Sequence, residues 1–228
     1  MNNLKSQAKL ISLVPVRRGS KGLKNKNILN FCGTPLYLRA VNQGLRVVSG
    51  CIVSTNYEEI LDSKSAENCQ LLRRPNELCE DDVTMDEVIF HAIEALKLDD
   101  ATIIVLLQAT TPLRSDADVV KAIELHATCK YDLTITVTET DSKFLKYGTL
   151  QGSKFIPVSH VNYCFSNRQN LPDVVMPNGA VYVFSVESFK RNGGLATENI
   201  GAVMMPFARS IDIDLQKDFE TAANQIEE

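Results

Sequence analysis

A run of cationic side chains occupies one short segment near the start of the sequence, with two glycines and a serine between them. The segment is Arg17-Arg-Gly-Ser-Lys-Gly-Leu-Lys-Asn-Lys-Asn27. Glycines let backbone N–H groups approach phosphate oxygens, the serine adds a hydroxyl donor, and the cations supply charge. Such a cluster suits a small, highly charged anion better than a long polyanion, and a solvated basic loop is the alternative. Neither G-x-x-x-x-G-K-[ST] nor G-x-G-x-x-G occurs, so the segment is not a Walker or dinucleotide-binding loop.

An acidic pair stands near the other end of the chain, in Ser210-Ile-Asp-Ile-Asp214. At strand spacing, Asp212 and Asp214 would point to the same face. Two adjacent carboxylates repel one another and have raised pKa values unless a cation lies between them. Carboxylate oxygens suit Mg²⁺, which completes its coordination with water and substrate phosphates. The pattern therefore predicts a magnesium site, and the alternative is that one aspartate caps a helix beginning near Leu215.

Regular elements must hold these groups in place. Near-continuous apolar runs predict strands at 9–16, 50–54, 69–73, 101–108, 133–137 and 181–184. Helical spacing and capping signals predict helices at 35–48, 57–66, 84–96, 116–128 and 215–226. Because strands alternate with helices, we predict an α/β fold whose parallel sheet carries helices on both faces. Ligands of such sheets bind at the carboxyl ends of the strands, which here means 17–27, 54–55 and 108–114.

The segment 139–177 breaks this alternation. It is richer in polar and aromatic residues, and it lacks a clear helical pattern. We predict an inserted hairpin or arm on a single domain that spans residues 1–228.

Composition excludes several classes of protein. The chain has 228 residues, a net charge of −4 and a pI of about 5.5, which argues against a general nucleic-acid binder. No apolar run approaches the roughly 18–20 residues of a spanning helix, and no secretory signal is recognisable, so we expect a cytoplasmic protein without a membrane partner. The cysteines are scattered, as reduced thiols are, and the histidines lack the spacing of zinc ligands.

Motifs in a characteristic order extend over nearly the whole chain. They are Arg17-x-Gly-Ser-Lys-Gly-Leu-x-x-Lys-Asn27, Val53-Ser-Thr55, Leu72-Arg-Arg-Pro75 with Glu77-Leu78, Leu106-Leu-Gln-Ala-Thr-Thr-Pro-Leu-Arg114, Arg168-Gln-x-Leu-Pro172, Pro177-Asn-Gly-Ala-Val-Tyr182 and Arg209-Ser-Ile-Asp-Ile-Asp214. With these motifs the sequence resembles the acylneuraminate cytidylyltransferases, also called CMP-sialic acid synthetases. The resemblance implies a three-layer Rossmann-like nucleotidyltransferase fold with a mostly parallel sheet, in which 139–177 is a dimerisation arm.

The resemblance also implies a reaction. The anomeric hydroxyl of a sialic-acid-type nonulosonic acid, N-acetylneuraminic or legionaminic acid, would attack the α-phosphorus of CTP. CMP-sugar would form, pyrophosphate would leave, and Mg²⁺ would be the cofactor. The protein would act as a homodimer with CTP and a nonulosonic acid as its small-molecule substrates.

Roles for individual residues follow from the resemblance. The catalytic residues would be Arg17, Lys21 and Arg168, and the metal ligands would be Asp212 and Asp214. The residues that bind substrate would be Ser20, Lys26, Asn27, Arg74, Thr84, Gln108, Lys146 and Asn178. Among these, Arg74 would line the cytosine and ribose, Gln108 would bind the acceptor, and Lys146 with Arg168 would meet its carboxylate or the phosphates.

Alternatives remain at this point. Gln108 could simply end a strand, Asn178 could belong to a plain turn, and Arg168 could be a surface residue. Synthetases for pseudaminic acid and for Kdo are the nearest functional alternatives, although the Arg-Leu-Pro-Gly-Lys loop usual in the Kdo branch is absent. A non-catalytic nucleotide-binding relative is an alternative from a different class.

Overall fold

The computed structural model of the chain describes residues 9–19, 22–48, 50–63 and 68–227. Ser20 and Lys21, both predicted to lie in the CTP site, are outside the described residues. The β-strands are β1 Leu10–Val16, β2 Asn30–Phe31, β3 Thr34–Pro35, β4 Cys51–Thr55, β5 Gln70–Arg73, β6 Ile103–Leu107, β7 Leu133–Thr140, β8 Gly148–Gln151, β9 Lys154–Pro157, β10 Val174–Ser185 and β11 Ile200–Met204. The α-helices are α1 Leu36–Val47, α2 Glu58–Leu61, α3 Met85–Ala95, α4 Asp116–His126, α5 Val161–Phe165, α6 Val186–Asn192 and α7 Gln216–Glu227.

The described residues form a seven-stranded central sheet in the order β11-β7-β10-β6-β1-β4-β5. Neighbouring strands are parallel except that β10 runs antiparallel to both β6 and β7. The near-continuous apolar runs of β1, β4 and β6 are buried, as expected for strands covered on both faces. The predicted mostly parallel α/β sheet is confirmed.

Helices cover both faces of this sheet. Val14 of β1 belongs to the same buried cluster as Val41 of α1. The preceding residue, Leu13, belongs to a second cluster with Ile89 of α3 and Phe189 of α6. Because successive strand residues point to opposite faces, the two clusters lie on opposite sides of the sheet and give the predicted three layers. None of the helices in the described part of the chain is long and apolar enough to cross a membrane.

Three sequence expectations differ from the structure. The helix predicted at 57–66 is only α2, Glu58–Leu61, and residues 64–67 are outside the described part. The sequence reasoning missed α6 and the edge strand β11. Residues 210–214 do not form a strand, so the same-face argument for the acidic pair was wrong in its premise. A hydrogen bond from the Ile213 N–H to the Thr110 carbonyl, 2.8 Å, ties this segment to a loop and not to a strand ladder.

The segment between β7 and β10 contains the predicted hairpin, formed by β8 and β9. Its base is continuous with the central sheet, because residues 137–140 of β7 pair with 174–177 of β10. The segment showed no clear helical pattern in the sequence, and the one α-helix that the described residues form there, α5, is a single short turn. Large apolar side chains are exposed along the arm: Phe144, Tyr147, Leu150, Phe155, Val158, Val161 and Phe165.

Candidate active site

A cleft of about 310 Å³ opens at the carboxyl ends of β1 and β6, the edge at which the sequence analysis placed the site. Predicted site residues that line this first cleft are Arg17, Lys26, Asn27, Arg74, Gln108 and Asp214. The fold therefore brings together groups from the start, middle and end of the sequence.

Hydrogen bonds hold the basic loop against its neighbours. The guanidinium of Arg17 donates to the Cys79 carbonyl at 2.8 Å and to the Asp81 carboxylate at 2.9 Å. The buried Asn27 amide donates to the Arg17 carbonyl at 3.0 Å, which closes the loop. At Gly22, a Cβ atom would stand 2.3 Å from the Asp214 carbonyl oxygen, so only glycine allows this contact. The loop is thus fixed against the segment that carries the acidic pair.

Arg74 forms the inner wall of the first cleft. Its guanidinium is buried and donates to the Ser54 hydroxyl at 3.1 Å and to the Ser54 carbonyl at 2.9 Å. The pKa of Arg74 is lowered to about 10, mainly by burial; the charge of Cys79 opposes this decrease and the charge of Arg17 adds to it. The side chain still carries its charge at neutral pH, and it is fixed in one direction by β4.

A second cleft, of about 580 Å³, adjoins the first, and Gln108 lines both. The Gln108 amide makes no hydrogen bond to another described residue. A Cβ atom at Gly179 would stand 3.9 Å from that amide, and Gly179 has a φ of +72°. Apolar side chains of Met176, Tyr182 and Phe207 also line the second cleft. Within the described part of the chain, no lysine or arginine lines it.

Asn178 lines the second cleft, but its amide is already occupied. It donates to the Ser210 hydroxyl at 2.9 Å, and its oxygen accepts from the Thr136 hydroxyl at 2.7 Å and from the Ala180 N–H at 3.1 Å. The residue is also buried. The geometry therefore assigns Asn178 to holding Ser210, at the start of the acidic segment, and its predicted contact with substrate stays a prediction.

The acidic pair lies where the two clefts meet. Asp214 lines the first cleft and Asp212 the second. The Asp214 carboxylate accepts from the Lys26 ammonium at 2.7 Å. The pKa of Asp212 is raised above its ordinary value, first by desolvation and then by the charge of Asp214, while a hydrogen bond from Thr110 and the charge of Lys26 oppose the rise. Sequence reasoning gave Thr110 no role, although it stands inside a recognised motif.

The Asp214 side chain does not cap α7, which was its alternative role. The carboxylate of Asp218, inside α7, accepts from the N–H groups of Asp214 and Leu215 at 3.1 and 2.8 Å. Asp218 therefore satisfies the backbone at the start of α7, and the Asp214 side chain faces Lys26.

Two arginines brace the loops around the site. Buried Arg114 donates to the carbonyls of Gln108 and Ala180 at 3.2 and 2.7 Å, and burial lowers its pKa to about 10. Arg209 forms two hydrogen bonds, 3.0 and 2.9 Å, with the buried carboxylate of Asp118. The first fixes the loop that carries Gln108, and the second fixes the entry to the acidic segment.

Three predicted site residues lie elsewhere. The Thr84 hydroxyl caps α3 and contacts Glu87, and it does not line either cleft. In the arm, the Lys146 ammonium donates to the Ser166 carbonyl, and exposed Arg168 lies 3.6 Å from Asp141. Neither arm residue lines the clefts of its own chain. Their predicted contacts with substrate stay predictions.

Comparison with known proteins identifies the family. The sequence profile of the cytidylyltransferase family matches residues 11–150, which is more than half of the chain. The chain therefore belongs to the cytidylyltransferase family, a family of nucleotidyltransferases.

Individual relatives agree with this assignment. The chain is 28% identical over 219 residues to an N-acylneuraminate cytidylyltransferase of Escherichia coli O18:K1:H7, covering 95% of this chain and 52% of that protein. It is 23% identical to a pseudaminic acid cytidylyltransferase of Campylobacter jejuni serotype O:2, covering 94% of both. The chain spans about half the length of the N-acylneuraminate cytidylyltransferases that it matches. The resemblance drawn from the motifs is confirmed.

A solved structure shows the same fold. It is a CMP:2-keto-3-deoxy-manno-octonic acid synthetase complexed with CTP, with a TM-score of 0.72 at 14% identity, covering 96% of this chain and 98% of that one. At this identity the similarity concerns the fold, and the Rossmann-like architecture expected from the sequence is confirmed.

Proposed function

We propose that this protein transfers CMP from CTP to a sialic-acid-type nonulosonic acid with release of pyrophosphate. The observation that carries the proposal is the junction of the two clefts, where Lys26, Gln108 and the acidic pair stand together. Membership of the cytidylyltransferase family supports the nucleotide, and the N-acylneuraminate relatives support the acceptor.

The first cleft fits the nucleotide half of the reaction. Arg17 and Lys26 both line it and bring two cations, as a triphosphate requires. Arg74 lines the same cleft, and its charged guanidinium, held in place by Ser54, suits an oxygen acceptor of the base or ribose. Phosphoryl-type transfer depends mainly on positioning and on charge stabilisation, which these groups supply.

The acidic pair fits Mg²⁺ by its chemistry. The Asp212 and Asp214 carboxylates are close enough for one to raise the pKa of the other, which is the state that a divalent cation relieves. Mg²⁺ typically takes only one or two protein carboxylates together with phosphate oxygens and water. Bound there, the cation would neutralise charge on the triphosphate. Ile213, which stands between the two aspartates in the sequence, is buried in a cluster with Phe31 and Leu36 and anchors the segment.

The second cleft fits the acceptor sugar only in part. Its apolar side chains suit the acyl and carbon-chain substituents of a nonulosonic acid. The Gln108 amide, which has no hydrogen-bond partner among the described residues, suits a hydroxyl. A sugar carboxylate also needs a cation, which its described lining residues lack. We propose that Lys146 or Arg168 of a second copy supplies it, because both residues lie on an arm whose exposed apolar side chains suit a homodimer interface.

Pseudaminic acid is the second candidate acceptor. The Campylobacter jejuni relative with that named substrate matches this chain over nearly the full length of both. The second cleft as described does not distinguish the ring substituents of the two acids. A cytosolic location also stays part of the proposal.

Nucleotide competition tests the cytidylyl half of the proposal. Pyrophosphate release is measured with CTP, UTP, ATP or GTP, each with a mixture of nonulosonic acids and Mg²⁺. We expect kcat/KM for CTP to exceed that for the other nucleotides by at least about 100-fold, the difference expected when a buried polar group is paired in one ligand and unpaired in another. Comparable kcat/KM for UTP would remove the cytosine specificity and leave nucleotidyl transfer standing.

A further inference from the structure

Lys26 joins the two segments on which the site depends. Its ammonium lies 2.7 Å from the Asp214 carboxylate across 188 residues of sequence. The side chain of Lys26 is 10% exposed, whereas that of Asp214 is 72% exposed. A buried ammonium needs a partner, but an exposed carboxylate can be satisfied by water. Lys26 therefore needs an anionic partner in place of Asp214 if this contact breaks, whereas Asp214 does not need Lys26.

Lys26 is also the cation that pairs with the acidic segment. Among the described residues, no other cation forms an ion pair with Asp212 or Asp214. Lys26 and Asp214 both line the first cleft, so the ammonium has access to whatever occupies that cleft. One side chain can thus serve either the carboxylate or an anionic ligand.

We propose that Lys26 forms an ion pair with Asp214 in the nucleotide-free protein and contacts the triphosphate instead when CTP binds. Asp214 then becomes available to a divalent cation only when nucleotide is bound. This inference rests on the proposed function, and it adds an order of binding that the proposed function does not require. Lys26 is a positioning residue in this scheme, because it controls the metal through Asp214.

Electrostatics gives the scheme its direction. A divalent cation that approaches Asp214 in the free protein meets an ammonium already at hydrogen-bond distance, so it must displace Lys26 or accept the repulsion of a like charge. A triphosphate offers several anionic oxygens to the flexible lysine stem and removes this conflict. Because Asp214 is available in only a small fraction of the free protein molecules, the apparent metal affinity of the free protein is low. By linkage, metal and nucleotide must raise each other's affinity equally.

The test measures Mn²⁺ binding to the nucleotide-free protein by electron paramagnetic resonance, with Mn²⁺ as a probe for an oxygen-ligand site. The variant is Lys26→Met, which keeps most of the length of the side chain and removes its charge. The matched control is Lys24→Met, which removes one charge from an exposed position in the same loop. Lys26→Arg restores a cation. We expect Lys26→Met to bind Mn²⁺ at least about 5-fold more tightly than the wild type, the lower end of typical couplings. The other two variants should stay within 2-fold of the wild type.

The outcomes separate the inference from the proposed function. If folded Lys26→Met binds Mn²⁺ as weakly as the wild type, or if Lys24→Met gains as much affinity, the inference is wrong. Lys26→Gln provides the same comparison if the methionine variant does not fold. Calorimetry with CTP alone is run in parallel on the wild type. Absence of CTP binding would overturn the proposed function, whereas CTP binding with unchanged Mn²⁺ affinity in Lys26→Met would overturn only the order of binding.

Discussion

The ion pair between Arg209 and the buried carboxylate of Asp118 should contribute measurably to the free energy of unfolding. Arg209 stands directly before the acidic segment, and its guanidinium binds both oxygens of a carboxylate that is 2% exposed. Arg209→Met keeps the aliphatic part of the side chain and removes the guanidinium. Among the described residues, Asp118 is then left buried with only its hydrogen bonds from Ser115, 2.9 and 2.7 Å. Removal of one partner from a buried pair is costly because the other charge stays desolvated.

The chain offers a matched control with the same geometry in a different environment. Arg46 also forms two hydrogen bonds, both 2.9 Å, with one carboxylate, that of Asp116, but this carboxylate is 44% exposed. Both aspartates lie in the first turn of α4. We expect Arg209→Met to lower the free energy of unfolding by about 2 kcal/mol, because a charged hydrogen bond to a buried group is lost. Arg46→Met should cost about 0.5 kcal/mol, the value of an exposed pair.

Thermal unfolding at neutral pH measures the difference. For a chain of this length, about 2 kcal/mol corresponds to a decrease of about 4–8 °C in Tm, and about 0.5 kcal/mol to about 1–2 °C. Asp116 keeps a hydrogen bond from Gln43, 2.9 Å, when Arg46 is replaced, as Asp118 keeps those from Ser115. Equal decreases in Tm for the two variants would refute the reasoning, because the two pairs share their geometry and differ mainly in the burial of the carboxylate.

The dependence on pH follows from the same pair. Burial raises the pKa of Asp118, but hydrogen bonds from Arg209 and Ser115 outweigh burial and hold the folded-state pKa below its ordinary value. A depressed carboxyl pKa gives stability that is present above the unfolded-state pKa and is lost as the pH falls through the folded-state value. The gap in Tm between wild type and Arg209→Met should therefore narrow as the pH is lowered from 6 towards 3. A gap that stays constant over this range would contradict the assignment to Asp118.

Two further predictions concern the metal and the assembly. Asp212→Asn and Asp214→Asn should keep the wild-type Tm within a few degrees. Each should lower the rate of Mg²⁺-dependent pyrophosphate release by about 100-fold or more, the effect of removing a group that stabilises charge. Near wild-type rates with an unchanged Mg²⁺ dependence would make the metal assignment wrong. Phe165, 87% exposed on the arm, should be part of the proposed dimer interface. Light scattering after gel filtration should then find Phe165→Glu as a monomer and Val120→Glu, which alters α4 outside the arm, as a dimer; a monomeric and fully active wild type would contradict this.

Most of the central sheet was predictable because its strands are buried on both faces. Leu10–Val16 and Ile103–Leu107 are near-continuous apolar runs, which are typical of strands in a sheet covered on both faces. The edge strand Ile200–Met204 gave no such signal, since Gly201 is its only buried residue. The helix Val186–Asn192 did carry recognisable signals, namely a cap at Ser185 and Gly193 at its end with a φ of +72°.

The composition of the site was predictable from its motifs, but its internal contacts were not. Lys26 and Asp214 were both expected at the site, yet a sequence gives no indication that residues 188 positions apart bind one another. The same holds for Asn178, whose amide is occupied by Thr136 and Ser210 from two other segments. Such contacts depend on how loops pack, and loop packing follows from the whole fold and not from local residue patterns.

Identification of the product tests the central claim most directly. The protein is incubated with CTP, Mg²⁺ and, separately, N-acetylneuraminic, legionaminic and pseudaminic acid and Kdo, and the products are analysed by mass spectrometry and by pyrophosphate release. We predict a CMP-linked nonulosonic acid and pyrophosphate in equal amounts, with one nine-carbon acid preferred and Kdo turned over poorly. Absence of a CMP-sugar with every acid, under conditions in which the protein binds CTP, would contradict the account and leave a nucleotide-binding protein without transferase activity.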